Sequence, residues 1–182
     1  MEFDEVVSAR RSIRRFSGAE VSEDLVRALI ETALQAPSSM NGQPWCFIVV
    51  RNAETKRRLA EIKDKYCPPE KREYPAGFLM EAPVIVITCV DRDKAYDRGM
   101  ESGILATGHL LLAAANHGLA SVYLSAYKSG MPEVSDDIRE ILGLPADIDP
   151  ITIVPLGFPG ASAEPKIIRK AAEVIYNESY SR

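Results

Sequence analysis

The chain has 182 residues, 46% hydrophobic and 26% charged, which is enough apolar material for a single domain spanning 1–182 to bury its own core. Its 22 basic and 26 acidic side chains leave a net charge of −4, which argues against a nucleic-acid-binding module. The three cysteines, Cys46, Cys67 and Cys89, are odd in number and form no CxxC pair, which excludes a disulfide framework and a zinc site and points to a reducing cytoplasm.

The N-terminal MEFDEVVSARRS lacks the apolar core of a signal peptide. The pattern from Asp4 to about Arg11 predicts a short helix. Ser22 offers an N-cap to a second helix, with Glu23 and Asp24 in the first turn where the helix dipole favours acids, and with Leu25, Val26, Leu29, Ile30, Ala33 and Leu34 on one face. Pro37 ends it. Cys46–Val50 predicts a buried strand, in which Cys46 is expected to be inert, as is Cys89 in its own apolar run. Asn52 caps a third helix carrying Leu59 and Ile62. The stretch from Tyr66 to Gly77 has three prolines and no period, so it predicts a loop or lid. Val84–Val90 is a second strand.

Arg98–His117 predicts a long helix stopped by Gly118. Its second half has little polar surface, so burial against a sheet on one side and a second subunit on the other is expected. Thr107, Gly108 and His109 interrupt its apolar run, which is too short to span a bilayer. His109 is expected to be a core or interface histidine rather than a ligand. Leu119–Leu124 and Ile151–Leu156 complete four strands, with a helix over Pro132–Leu142 stopped by Gly143. The tail from Ile167 to Arg182 is weakly helical and predicts an arm. Helices alternating with strands imply a mixed sheet wrapped by helices.

The phosphate signatures GxxxxGK[ST] and GxGxxG are missing, and no HExxH or nucleophile elbow appears. Three segments stand out instead. Arg10-Arg11-Ser12-Ile13-Arg14-Arg15-Phe16 packs four arginines and a serine at the end of the first helix. It suits either a basic C-terminal turn or an anion site of guanidinium forks and a hydroxyl. Ala36-Pro37-Ser38-Ser39-Met40-Asn41-Gly42-Gln43-Pro44-Trp45 is either a polar turn or a rigid loop that presents Ser and Asn groups to a heteroaromatic ligand. Pro155-Leu156-Gly157-Phe158-Pro159-Gly160, followed by Lys166, Arg169 and Lys170, is either a solvated basic tail or a second source of cations for the same anion.

In order and spacing, RRSIRRF, APSSMNGQPW and the late LGFPG with its following Pro-Lys resemble the nitroreductase-like family of flavoproteins, over about Arg10 to Arg169. The resemblance implies an α+β fold with a central mixed, mainly antiparallel β-sheet flanked by helices, and a long central dimer helix over Arg98–His117. It implies a homodimer with non-covalent FMN at the subunit interface and NAD(P)H as electron donor. By resemblance, Arg10 and Ser12 hold the phosphate and ribityl chain, Arg11 contributes backbone, and Arg14 reaches the pyrimidine edge of the flavin. Asn41 hydrogen-bonds the ring, and Pro37, Ser38 and Ser39 contact the FMN bound mainly by the other subunit. Lys166 and Arg169 complete the phosphate site, although many relatives carry Lys-x-Arg where these two stand three apart. The turn at Leu124 and Ser125 lies along the isoalloxazine.

The implied reaction is a ping-pong transfer from NAD(P)H to a small oxidised substrate of nitroaromatic, quinone or flavin type. The flavin carries the chemistry, so no catalytic acid, base or metal is expected from the chain. The alternatives are a flavin-binding carrier or sensor without turnover and a specialised relative such as a reductive dehalogenase. No nucleic acid and no membrane is expected as partner, and the lid is expected to set the substrate.

Overall fold

The computed structural model describes residues 1–68, 75–163 and 165–180. Among the described residues, six α-helices and five strands lie in the order α1 (Phe3–Ala9), α2 (Glu23–Ala33), β1 (Trp45–Val50), α3 (Ala53–Lys65), α4 (Phe78–Glu81), β2 (Val84–Asp91), α5 (Gly99–Asn116), β3 (Ala120–Ser121), β4 (Leu124–Ser125), α6 (Glu133–Leu142) and β5 (Ile148–Gly157). The sheet order is β1-β2-β5-β3, with β4 also on β5, and these strand pairs are antiparallel. A parallel bridge between Ser12 and Ser121 makes the sheet mixed. The α+β architecture is the expected one.

Side-chain alternation builds two cores. Val84 and Val86 of β2, with Val154 and Leu156 of β5, face Leu29 of α2 and Leu110 and Ala114 of α5. Ile85, Ile87 and Ile153 point the other way, onto Leu59 and Ile62 of α3, Leu79 of α4 and Ile138 of α6. On the α5 face the apolar packing is interrupted by three fully buried threonines. Thr107 Oγ1 lies 2.8 Å from Thr152 Oγ1, 3.1 Å from Thr88 Oγ1 and 2.8 Å from the Gly103 carbonyl. These bonds add direction to an otherwise non-directional contact and fix where α5 sits on β2 and β5.

The caps follow the sequence. Ser22 Oγ accepts from the Leu25 amide, Asn52 Oδ1 accepts from the Thr55 amide, and Gly118 and Gly143 adopt the left-handed conformation after α5 and α6. Several expectations need correction. The third strand divides into β3 and β4, because Val122 and Tyr123 leave the ladder between them. The helix α1 stops at Ala9, and its last turn has no basic residue, so the arginine cluster lies on extended chain rather than closing a helix. The tail, expected to be weakly helical, holds one 3₁₀ turn among its described residues, Ala171–Glu173, while Ile167, Ile168, Ile175 and Tyr180 are exposed. Of the lid, residues 69–74 lie outside the described residues, and α4 begins at Phe78, directly after the stretch expected to be a loop. Cys46 is not enclosed: it is half-buried and stands directly opposite Cys89 across β1 and β2. No helix among the described residues is long and apolar enough to cross a membrane.

Candidate active site

The Arg10–Phe16 segment is stitched to the sheet from two sides. The Ile13 amide donates to the Ser121 carbonyl at 2.9 Å, the Ser17 amide to the Phe158 carbonyl at 2.9 Å, and the Gly160 amide to the Arg15 carbonyl at 2.9 Å. Phe16 and Ile13 anchor it in a small apolar cluster with Ala82, Ala120 and Phe78. Those two inward residues leave Ser12, Arg14 and Arg15 exposed. The glycines of LGFPG therefore have a packing role. A side-chain carbon on Gly157 would lie 2.7 Å from Pro83 and 2.9 Å from the Phe16 ring, and one on Gly160 would lie 2.8 Å from the Phe16 backbone. Arg11 is engaged at the end of α1, where its guanidinium donates to the Ser8 and Arg10 carbonyls. Arg10 is half-buried beside it.

Arg14 reaches a cleft of about 660 Å³ on the α3 and α6 side of the sheet, shared with Ser125. Its guanidinium lies 5.9 Å from the centroid of the Phe78 ring, which also lines the cleft. Ser125, on β4, offers its carbonyl to Lys63 Nζ at 2.7 Å. The structure thus holds the first segment against the LGFPG turn at the end of β5, and brings Arg14 and the Ser125 turn to one cleft. Tyr66, where the expected lid begins, also lines it, as do Lys63, Tyr123, Tyr127 and Lys128, four residues that did not stand out in the sequence. Lys63 left one signal: it follows Leu59 by one helical turn, which puts a lysine beside the buried stripe of α3.

The Pro37–Asn41 loop lies elsewhere. It leads into Trp45, which pairs with Val90, whereas Phe16 sits beyond Leu156, which pairs with Val84. The six residue steps from Val84 to Val90 put the two motifs roughly 20 Å apart along β2. The loop is stiff: Met40, Asn41 and Gln43 all have positive φ, and Ser38 Oγ accepts from the Gln43 amide at 3.0 Å. Gly42 fits tightly beneath Tyr96, whose ring would lie 2.9 Å from an added side-chain carbon. Pro37 and Asn41 are exposed, and Ser38 and Ser39 are half-buried. Lys166 and Arg169 are not gathered at the cluster either. Both are exposed on the tail, where Arg169 donates to the Glu173 carbonyl at 2.9 Å and its Nε lies 3.7 Å from the Glu173 carboxylate.

Residues 7–158 match the model of the nitroreductase family. The chain belongs to that family. A protein of Methanothermobacter thermautotrophicus, provisionally described as an NADH dehydrogenase/NAD(P)H nitroreductase, is 31% identical over 162 residues, covering 87% of this chain and 78% of its own. An iodotyrosine deiodinase of Thermotoga neapolitana is 31% identical over 192 residues, covering 95% of this chain and 96% of its own. The NADPH:FMN oxidoreductase of Vibrio harveyi complexed with NAD⁺ superposes with a TM-score of 0.83 at 22% identity, covering 99% of this chain and 78% of that one, and so shows the shared fold. With the family comes the enzyme class, an oxidoreductase.

Proposed function

We propose that the chain is an FMN-dependent oxidoreductase that passes electrons from NAD(P)H to a small oxidised acceptor in ping-pong order, with residues 1–182 acting as one FMN-binding domain in a cytoplasmic homodimer. The observation that carries this reading is Arg14, aimed into the cleft beside Ser125 by a segment clamped between β3 and the LGFPG turn. Bound FMN would supply the hydride-accepting chemistry that no side chain of this protein offers.

The donor set fits such a group. Arg10 and Ser12 would hold the phosphate and ribityl chain, because a guanidinium fork and a hydroxyl match phosphate oxygens. Arg14 would place positive charge at the pyrimidine edge, which favours the anionic reduced ring, and its guanidinium lies 5.9 Å from the Phe78 ring centroid. The aromatic walls Tyr123 and Phe78 exclude water from a planar ligand. Lys166 and Arg169, exposed on the tail, would complete the phosphate site.

The second subunit follows from incompleteness. The Pro37, Ser38, Ser39 and Asn41 loop is too far from Arg14 within one chain to share a ligand with it, so a partner would supply it. The helix α5 exposes Met100, Ile104 and Leu105 while Ala106 and Leu110 are buried, which is the pattern of a helix covered by a partner.

The test is the visible spectrum of the purified protein, before and after denaturation, with anaerobic addition of NADH and then NADPH. A flavin band released on denaturation, identified as FMN by mass and bleached by either donor, supports the reading. A colourless protein that takes up no FMN overturns it. Bleaching without turnover of any acceptor would make the protein a flavin carrier.

The likeness to a deiodinase over nearly the full length of both chains favours one second reading, reductive dehalogenation. Two electrons and a proton would replace an aryl halogen by hydrogen and release halide, whereas two electrons and two protons would take a nitro group to nitroso and release water. Halide release against nitroso formation by the NAD(P)H-reduced protein separates the two.

A further inference from the structure

The cleft holds more positive charge than its described walls neutralise. Lys63 Nζ donates to the Ser125 carbonyl at 2.7 Å, Lys128 Nζ donates to the Tyr66 carbonyl at 3.1 Å, and the Arg14 guanidinium lies 5.9 Å from the centroid of the Phe78 ring. Each cation has an uncharged partner, and among the described residues none of the three pairs with a carboxylate. Asp64, the one acid among the described lining residues, accepts the Ala76 amide at 2.7 Å. Burial holds the Lys63 ammonium below its ordinary pKa, the nearby charge of Lys128 adds to that effect, and Cys67 works against it. Like charges facing one half-buried space repel each other, and a bound anion relieves both the repulsion and the desolvation. The remaining walls include the aromatic residues Tyr66, Phe78, Tyr123 and Tyr127, a residue type that packs well against planar rings.

We propose that this cleft selects an aromatic substrate bearing an anionic group, such as an aryl carboxylate, and that Lys128 is the residue that discriminates charge. The proposal rests on the cleft being the site of the oxidoreductase reaction. Lys63 is bonded to Ser125, on the turn assigned to the flavin, so its charge serves both ligands. Lys128 is bonded to Tyr66, at the end of α3, and Tyr127 beside it offers a ring to the same ligand. A carboxylate there gains charge-assisted hydrogen bonds that a carboxamide of the same shape cannot match.

The experiment is calorimetric titration of the FMN-loaded protein with benzoate and with benzamide, which differ in charge and are not reduced. Benzoate is expected to bind at least about tenfold more tightly. Lys128→Gln is expected to shrink that ratio to about threefold or less, as is added salt. Equal binding, tighter benzamide, or no binding of either ligand overturns the proposal. So does a Lys128→Gln protein that keeps the full ratio but binds FMN more weakly, because the lysine would then serve the cofactor. A variant that keeps the ratio but needs more NAD(P)H for half-maximal bleaching assigns the charge to the donor's phosphates and overturns it too. A protein that holds FMN and is bleached by NAD(P)H, yet ignores ligand charge, refutes the selectivity alone. A protein that takes up no FMN refutes the underlying reading.

Discussion

A side-chain carbon on Gly160 would stand 2.8 Å from the carbonyl oxygen of Phe16, closer than side-chain carbons pack against backbone. The Arg10–Phe16 segment can lie against the end of β5 only because Gly160 has no such atom. Gly160→Ala must push the segment away and loosen the Gly160–Arg15 hydrogen bond. The expected cost is about 1–3 kcal/mol of stability together with loss of retained FMN. Thermal unfolding and the flavin-to-protein absorbance ratio measure both. A variant with native values of each would show that the contact does not hold the segment.

Arg14 and Arg15 are neighbours with different prospects. Arg14 lines the cleft and Arg15 does not. Arg14→Ala is expected to weaken FMN binding by about tenfold to a hundredfold, with Arg14→Lys recovering part of the loss because a point charge replaces a fork. Arg15→Ala is expected to stay within about twofold. Fluorescence titration of the apoprotein with FMN reads all three, and equal losses at both positions would contradict the placement of Arg14.

Thr107→Val keeps the shape of the α5 face but leaves the Thr88 and Thr152 hydroxyls short of a partner. The expected destabilisation is about 1–3 kcal/mol in urea unfolding. The triple change of Thr88, Thr107 and Thr152 to Val should cost less than the sum of the three single changes, since no hydroxyl is then stranded. Additive costs would mean that the three do not act as a network.

Much of this fold was legible because its signals are local. Ser22, Asn52, Gly118 and Gly143 set helix ends through bonds that span a few residues, and the apolar runs of β2 and β5 mark strands buried on both faces. The division of Leu119–Leu124 into β3 and β4 was not legible, because both halves take their register from β5, which follows them by more than twenty residues. The motif residues of the site were legible as chemistry. Their support was not: Ile13 and Phe16 anchor the arginines through contacts with Ala82 and Ala120, whose ordinary identities carry no hint of that role. Lys63 and Lys128 became site residues only when α3 and the chain after β4 met at one cleft.

The two thiols of the β1–β2 ladder provide a pH test. A hydrogen bond with Cys89 draws the Cys46 thiol down to about 7, against the opposing effect of burial. Alkylation of Cys46 by iodoacetamide is therefore expected to rise with pH through a midpoint near 7 as the thiolate forms. Cys89→Ala is expected to move that midpoint upward, because the donor to the thiolate is lost. Peptide mass mapping across pH gives the profile, and a midpoint that does not move would contradict the pairing.

The distance along β2 between Arg14 and the Ser39 loop has a genetic consequence. If each dimer carries two composite sites, a lesion at Arg14 and a lesion at Ser39 in the same chain spoil both, but the same lesions on different chains fall together in one site and spare the other. Co-expressing two inactive single variants should then restore about a quarter of the sites by random pairing. Two broken copies of this gene would complement each other in one cell, whereas two lesions within the Arg10–Phe16 segment would not.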